Sequence, residues 1–198
     1  MDHYPVSVRG ELEETNRFSF LVKWLLLLPH WIAWVLLLIA SVVAWVGALL
    51  AVVATGRYPR PLFDFIVGVM RYGWRLWFYG YGVLGTDKYP PFTLKSVQDY
   101  PADVTVEYPD QLHRGLALIK WWLLPIPHFL VLAVLLGSAQ AVGLAPLLLL
   151  FVVGAQLFTG RYPRQLFVLL LGVYRWDARV WAYMGLVTEK YPPFRLEE

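Results

Sequence analysis

Cysteine is absent from this 198-residue sequence, and charged residues are scarce. The first absence excludes disulfides, thiol catalysis, iron–sulfur clusters and cysteine-ligated zinc, because each needs a cysteine sulfur. Charged residues make up 16% of the chain against 59% hydrophobic residues, a balance typical of membrane proteins rather than soluble domains. The 17 basic and 14 acidic side chains are interleaved outside the apolar runs, so no basic tail indicates nucleic-acid binding.

Catalytic and metal-binding patterns are also missing. The four histidines, His3, His30, His113 and His128, show no spacing typical of a metal or haem site. The sequence has no Gly-rich phosphate loop, nucleophile elbow or pair of carboxylates in a catalytic context. His30 and His128 each follow a proline, where we interpret them as polar residues at helix starts; paired metal or haem ligands are the alternative. We therefore expect no enzymatic activity and no cofactor.

Two copies of one unit follow each other along the chain, and we place them at residues 1–95 and 96–198. The hexamer TGRYPR occurs at 55–60 and again at 159–164, and the pentamer KYPPF occurs at 88–92 and 190–194. The copies also match in between, at offsets that drift from 96 to 104 and back to 102. Identical motifs in the same order indicate an internal duplication.

Each unit begins with a Val-x-Val strand signal and an amphipathic lead-in, and continues into a long apolar run. Residues 30–54 carry no charged side chain and predict a transmembrane helix of about 37 Å. In the second copy the run spans residues 128–158, and Gly137 with Pro146 predicts a kink or partial break there. TGRYPR should end both helices, since its glycine suits a C-cap and its proline cannot continue the ladder. We interpret it as an interfacial turn; a lipid phosphate site is the alternative.

The second helix of each unit, at residues 61–84 and 165–187, has the length of a span but carries arginine in its middle. Asp64, Gly68, Arg71 and Arg75 share one helical face, and Arg175 and Arg179 repeat the arginine pair. Such a stripe fits an upright helix whose arginines line a bundle interior. It also fits a helix lying in the interface with its arginines toward water.

KYPPF should stop the second helix and extend the chain, because its prolines disfavour helical backbone. The following Phe-x-Leu segments, at 92–94 and 194–196, are predicted to pair with the Val-x-Val strands in a small β layer near the termini. The expected fold class is thus an all-α integral membrane protein: a tandem-repeat four-helix transmembrane bundle with short amphipathic lead-in helices and that β layer.

The series TGRYPR…LF…F…VGV…R…R…Y…T-D/E-K-YPPF, present twice, resembles the DUF4389 family of bacterial membrane proteins of unknown function. The resemblance covers nearly the whole chain and implies a bacterial cell membrane. It implies no catalytic residue and no cofactor. Val168, where the first copy has Asp64, indicates that the two copies are not interchangeable.

We predict a non-catalytic scaffold or accessory subunit of a larger bacterial membrane complex, anchored by aromatic and basic residues. A phospholipid-binding or lipid-moving protein that uses the arginine stripe is the alternative. The expected partners are membrane lipids, anionic ones among them, and other membrane subunits or a second copy. Four spans with this Lys and Arg distribution predict a multi-pass inner-membrane protein with cytoplasmic termini. The candidate lipid or partner contacts are Arg57, Tyr58, Arg60, Arg71, Arg75, Arg161, Tyr162, Arg164, Arg175 and Arg179.

Overall fold

A computed structural model describes residues 4–197, so His3 lies outside the described residues. Within that range the chain forms two short strands and six helices, five of them longer than ten residues. In chain order they are β1 (Val6–Gly10), α1 (Phe20–Thr55), α2 (Arg60–Tyr79), β2 (Ala102–Val106), α3 (Arg114–Ala117), α4 (Ile126–Leu136), α5 (Leu144–Thr159) and α6 (Arg164–Met184).

The long helix α1 joins the predicted lead-in and the predicted span in one element of 36 residues, about 54 Å long. It passes through Pro29 without a break and ends where the sequence predicted. Gly56 has a φ of +73°, and its N–H donates to the carbonyl of Val52. The glycine stop at TGRYPR is therefore confirmed, and Gly160 repeats it after α5 with a φ of +68°.

In the second copy the equivalent of α1 is interrupted, as Gly137 and its neighbours predicted. Gly137, with a φ of +100°, ends α4, and an isolated β-bridge joins it to Val142 before α5 begins. The lead-in of this copy contains only the four-residue helix α3, followed by turns. The two copies thus share a plan but differ in the continuity of their apolar helix.

The β layer exists, but its partners differ from those predicted. β1 pairs with β2 in antiparallel register, with Val8 opposite Val104. The Phe-x-Leu segments are not strands, so their predicted pairing with the Val-x-Val strands is wrong. The Val-x-Val strand of each copy instead pairs with its counterpart, because the valines of both strands can then bury on the same face against α2 and α6.

The strand register also defines the relation between the copies. Val8 and Val104 are equivalent at the repeat offset of 96, and they lie directly opposite each other. Antiparallel strands that exchange equivalent residues are related by a twofold axis perpendicular to the sheet, and here the axis passes through this pair. The two copies are therefore arranged around a local pseudo-twofold.

The predicted four-helix transmembrane bundle is wrong. Among residues 4–197 only α1 is long and apolar enough to cross a membrane. α2 is instead largely buried between α1 and the β layer, and α6 contacts β1, α4 and α5. The arginines explain the difference, since their guanidinium groups bind the protein's own backbone around the β layer. With one candidate span, the multi-pass assignment and the parity argument for cytoplasmic termini also lose their basis.

Candidate functional site

α1 exposes an extended apolar surface. Only a narrow line of α1 residues at spacings of three and four packs on the rest of the protein, and the remaining circumference is exposed. Ile39 is 61% exposed and Val43 is 71% exposed. The shorter apolar helices α4 and α5 add to this surface, which includes Phe158 at 90% exposure. A helix that is apolar on all sides and open on most of them is typical of contact with lipid or with partner helices.

Two equivalent lysines are buried beside the apolar helices. The ammonium group of Lys23 on α1 is buried, donates to the carbonyl of Thr86 at 2.8 Å and pairs with Asp87 at 2.9 Å. Lys120 repeats the arrangement, 2.8 Å from the carbonyl of Thr188 and 3.4 Å from Glu189. Burial lowers the pKa of Lys120, and the carboxylate of Glu189 opposes that shift. Lys23 therefore fixes α1, and Lys120 fixes the turns before α4, to the segment before KYPPF. Neither lysine places its charge on the outer apolar face.

His30 and His128 lie in equivalent aromatic pockets built by KYPPF. His30 stacks on Phe92 at 3.8 Å between ring centroids, and His128 stacks on Phe194 at 4.1 Å. Their Nδ1 atoms bond to the Tyr72 hydroxyl and to the Trp176 indole N–H. Among residues 4–197 no group of three or more metal-ligating side chains includes them. The geometry is that of packed, hydrogen-bonded core histidines.

The arginine stripe of α2 lies inside the protein. Arg71 donates to the carbonyls of Val104 and Leu94, at 3.0 and 2.7 Å, and pairs with Asp103 at 2.7 Å. Arg75 is fully buried and donates to the carbonyls of Thr93 and Lys95. Burial lowers the pKa of Arg75, and Asp103 is the main group that opposes the shift.

The arginines of α6 make the corresponding contacts. Arg175 donates to the carbonyl of Val8 at 2.9 Å, and Arg179 donates to the carbonyls of Arg195 and Glu197. Asp64 does not join the stripe, because it is exposed and pairs with Arg60. Asp177, on α6, lies apart from the stripe near Tyr174 and Trp181. The stripe thus holds the chain after each second helix and does not open to lipid.

The stripe also closes the edges of the β layer. Ladder bonds join Glu107 to Pro5 and Glu11 to Pro101. Because hydrogen-bonded and non-hydrogen-bonded pairs alternate along an antiparallel ladder, the carbonyls of the Val8–Val104 pair point outward. Arg71 and Arg175 bind these two outward carbonyls, one on each edge, and so protect a sheet of only two strands.

The tyrosines of the two TGRYPR turns bind across the copies. The Tyr58 hydroxyl donates to the carbonyl of Gly185 at 3.2 Å, and the Tyr162 hydroxyl donates to the carbonyl of Val83 at 2.6 Å. Gly185 and Val83 are equivalent at the repeat offset of 102. These two candidate residues therefore join each copy to the end of the other copy's second helix.

The arginines of the turns face outward: Arg57, Arg60, Arg161 and Arg164 are all exposed. The structure adds a third arginine to each turn, which sequence reasoning missed. Arg114 donates to the carbonyl of Thr55, and the guanidinium of Arg17 lies over Gly160. Arg17 and Arg114 are equivalent at an offset of 97, and that match is the signal that could have revealed them.

Comparison with known proteins agrees with the repeat. A family model described as "Domain of unknown function (DUF4389)" matches residues 17–93 and 121–195, and the two segments cover most of the chain. The resemblance expected from the motifs, as two tandem units, is confirmed. No curated protein and no solved structure matches the chain.

Proposed function

Because the chain belongs to the DUF4389 family, whose description assigns no activity, we propose from its geometry that it is a non-catalytic membrane scaffold or accessory subunit. In this proposal the exposed sides of α1, α4 and α5 contact acyl chains or the apolar helices of partner subunits. The location that the family resemblance implies, a bacterial cell membrane, is part of the same proposal.

The observation that carries the proposal is the outer face of α1. Its exposed isoleucine, leucine and valine side chains extend from Leu21 to Leu50 with no charged group among them. A monomeric soluble protein rarely exposes an apolar patch of this length. The one charged residue of α1, Lys23, is buried against the rest of the protein, which is the arrangement that a helix in lipid requires.

The support for a scaffold rather than a lipid-moving protein comes from the arginine stripe. A path for headgroups along α2 and α6 would need free guanidinium donors. The four stripe arginines instead donate to backbone carbonyls of the chain itself. The stripe therefore supports internal bracing, and the lipid-moving alternative loses the feature that suggested it.

The membrane part is tested by alkaline carbonate extraction of membranes from bacteria that express the chain. We expect the wild type to stay in the membrane pellet. Ile39→Lys with Val43→Lys should release the protein or prevent its accumulation. Each lysine at the centre of a membrane-inserted helix costs about 3 kcal/mol. Thr105→Lys, on the exposed side of the β layer, is the control and should be retained. Release of the wild type would contradict membrane attachment.

The scaffold part is tested by purification of the tagged chain in mild detergent, with identification of the proteins and lipids that accompany it. We expect a stoichiometric membrane subunit or a second copy of the chain. Recovery of a membrane-retained monomer without any stoichiometric protein would overturn the accessory-subunit role while leaving membrane attachment intact.

A further inference from the structure

The two TGRYPR turns carry the same arginines but have different surroundings. Each turn brings together two arginines of its own copy and one from the other copy: Arg57, Arg60 and Arg114 at the first turn, and Arg161, Arg164 and Arg17 at the second. Each trio adjoins the end of an exposed apolar helix, α1 or α5. Both turns therefore place cationic groups at the end of an apolar surface, where the headgroups of a bilayer would lie.

At the first turn two of the three arginines have partners within the protein. Arg60 pairs with Asp64 at 3.2 Å, and its guanidinium lies 4.7 Å from the centre of the Tyr108 ring. Arg114 donates to the carbonyl of Thr55 at the end of α1, at 3.1 Å. Only Arg57 has no hydrogen bond or ion pair from its guanidinium among residues 4–197.

At the second turn both partners of the equivalent arginine are missing. At the repeat offsets, Val168 stands in the place of Asp64 and Leu12 in the place of Tyr108. Within the described range, the guanidinium groups of Arg161 and Arg164 have no hydrogen bond or ion pair, and the same holds for Arg17. The sequence has replaced an acid and an aromatic ring by two aliphatic side chains while keeping every arginine.

The neighbouring apolar residues identify the kind of anion that fits. Phe158, two residues before Gly160, is 90% exposed, and Val168 is 59% exposed. A free inorganic anion gains nothing from these side chains, whereas a phospholipid brings acyl chains to them and a phosphate to the arginines. Guanidinium groups bind phosphate oxygens in a bidentate manner, which gives both strength and direction.

We propose that the second TGRYPR turn is a binding site for the phosphate of an anionic phospholipid, formed by Arg161, Arg164 and Arg17. The first turn is its counterpart, in which Arg60 and Arg114 bind groups of the protein itself. This inference rests on the membrane attachment proposed above and adds to it a lipid class and a place. The duplication thus yields one turn where the protein binds two of the three arginines and one turn where a lipid phosphate binds them.

The test uses native mass spectrometry of the full chain in detergent, titrated separately with phosphatidylglycerol and with phosphatidylcholine. We expect the wild type to bind phosphatidylglycerol more tightly. Arg161→Gln with Arg164→Gln should weaken that binding about tenfold, the equivalent of one charge-assisted contact. The matched control, Arg57→Gln with Arg60→Gln, removes the same charge from the first turn and should weaken it by less than about threefold.

The single replacements that distinguish the turns give a second readout. Val168→Asp should lower the preference for phosphatidylglycerol toward that of the double arginine variant, and Asp64→Val should raise the number of bound phosphatidylglycerol molecules. Both positions are exposed, so neither change should lower the melting temperature by more than about 4 °C. Equal loss from the two double variants, or no effect of Val168→Asp, would overturn the proposal.

Two further arms identify the source of the anion and separate this inference from the proposed function. Excess inorganic phosphate should not displace phosphatidylglycerol; displacement would indicate a site for free phosphate and contradict the lipid assignment. The arginine variants should remain in the carbonate-extracted membrane. A protein that is retained but shows no lipid preference would refute the site alone, whereas a protein that is released would refute the membrane attachment itself.

Discussion

At the scale of single residues, the same side-chain type has opposite roles depending on its burial. The arginines of α2 and α6 lie inside the fold and bind backbone carbonyls, while those of TGRYPR lie outside. Asp103 is the acid of the inner group: it is buried and forms ion pairs with both Arg71 and Arg75, at 2.7 and 3.5 Å. Buried charges of this kind are tolerated only when each has its partner.

We expect Asp103→Ala to destabilise the protein by about 3 kcal/mol, because it leaves two buried guanidinium groups without their carboxylate. The apparent melting temperature, followed by intrinsic tryptophan fluorescence, should fall by about 10 °C. The control is Asp64→Ala, which breaks the exposed pair with Arg60 and should cost less than about 1 kcal/mol. Equal effects of the two variants would show that the Asp103 cluster contributes no more than a surface pair.

At the scale of elements, the second helices are fixed by close contact with the chain that follows KYPPF. Gly68 on α2 and Gly172 on α6 are equivalent, and each faces the leucine after its own pentamer. A Cβ at Gly68 would lie 2.8 Å from the Cβ of Leu94, and one at Gly172 would lie 2.8 Å from the Cβ of Leu196. The glycines allow the extended segment to approach near enough for Arg75 and Arg179 to reach its carbonyls.

Gly172→Ala should therefore destabilise the protein by about 1–3 kcal/mol, since neither the helix nor the adjacent backbone can move without loss of the arginine contacts. Gly154 on α5 is a matched helical glycine with nothing within 4 Å of an added Cβ. Gly154→Ala should stabilise the protein by up to about 1 kcal/mol through helix propensity alone. Thermal unfolding of both variants measures the difference, and destabilisation by Gly154→Ala would contradict the packing account.

At the scale of the whole molecule, the two copies are interlocked rather than merely adjacent. Arg71 of the first copy binds Val104 at the start of the second, and Arg175 of the second binds Val8 of the first. Likewise, the Tyr58 hydroxyl of the first copy donates to Gly185 of the second, and the Tyr162 hydroxyl of the second donates to Val83 of the first. A single copy would leave its strand unpaired, and the first copy would lose the carbonyls that Arg71 Nε and the Tyr58 hydroxyl bind in the second.

We expect the first unit alone, residues 1–95, to form a homodimer in detergent with Val8 opposite Val8 of the other chain. The register allows it, because the pseudo-twofold passes through two equivalent residues. Light scattering coupled to size exclusion should give the mass of two chains. Ser7→Pro should prevent the dimer, since the N–H of this exposed residue points between the strands and proline removes that ladder bond. A folded monomer of residues 1–95 would contradict the interlock.

The sequence alone determined the features that depend on local chemistry and on the repeat. It determined the duplication and its family, the glycine stops after α1 and α5, the interruption between α4 and α5, and the existence of a small β layer. Each follows from residues close together in the chain, since a C-cap glycine or an apolar run acts within a few turns.

Only the tertiary structure decided which partners the strands and the arginines have. Helical spacing places Arg71 and Arg75 on one face, but whether that face meets lipid, water or protein depends on segments far along the chain. Val104 and Asp103 come from the second copy, so no local pattern indicates that they bind the arginines of α2. α2, which has the length of a span, is buried against the β layer because long-range hydrogen bonds to backbone carbonyls and ion pairs with Asp103 offset the cost of burying charge.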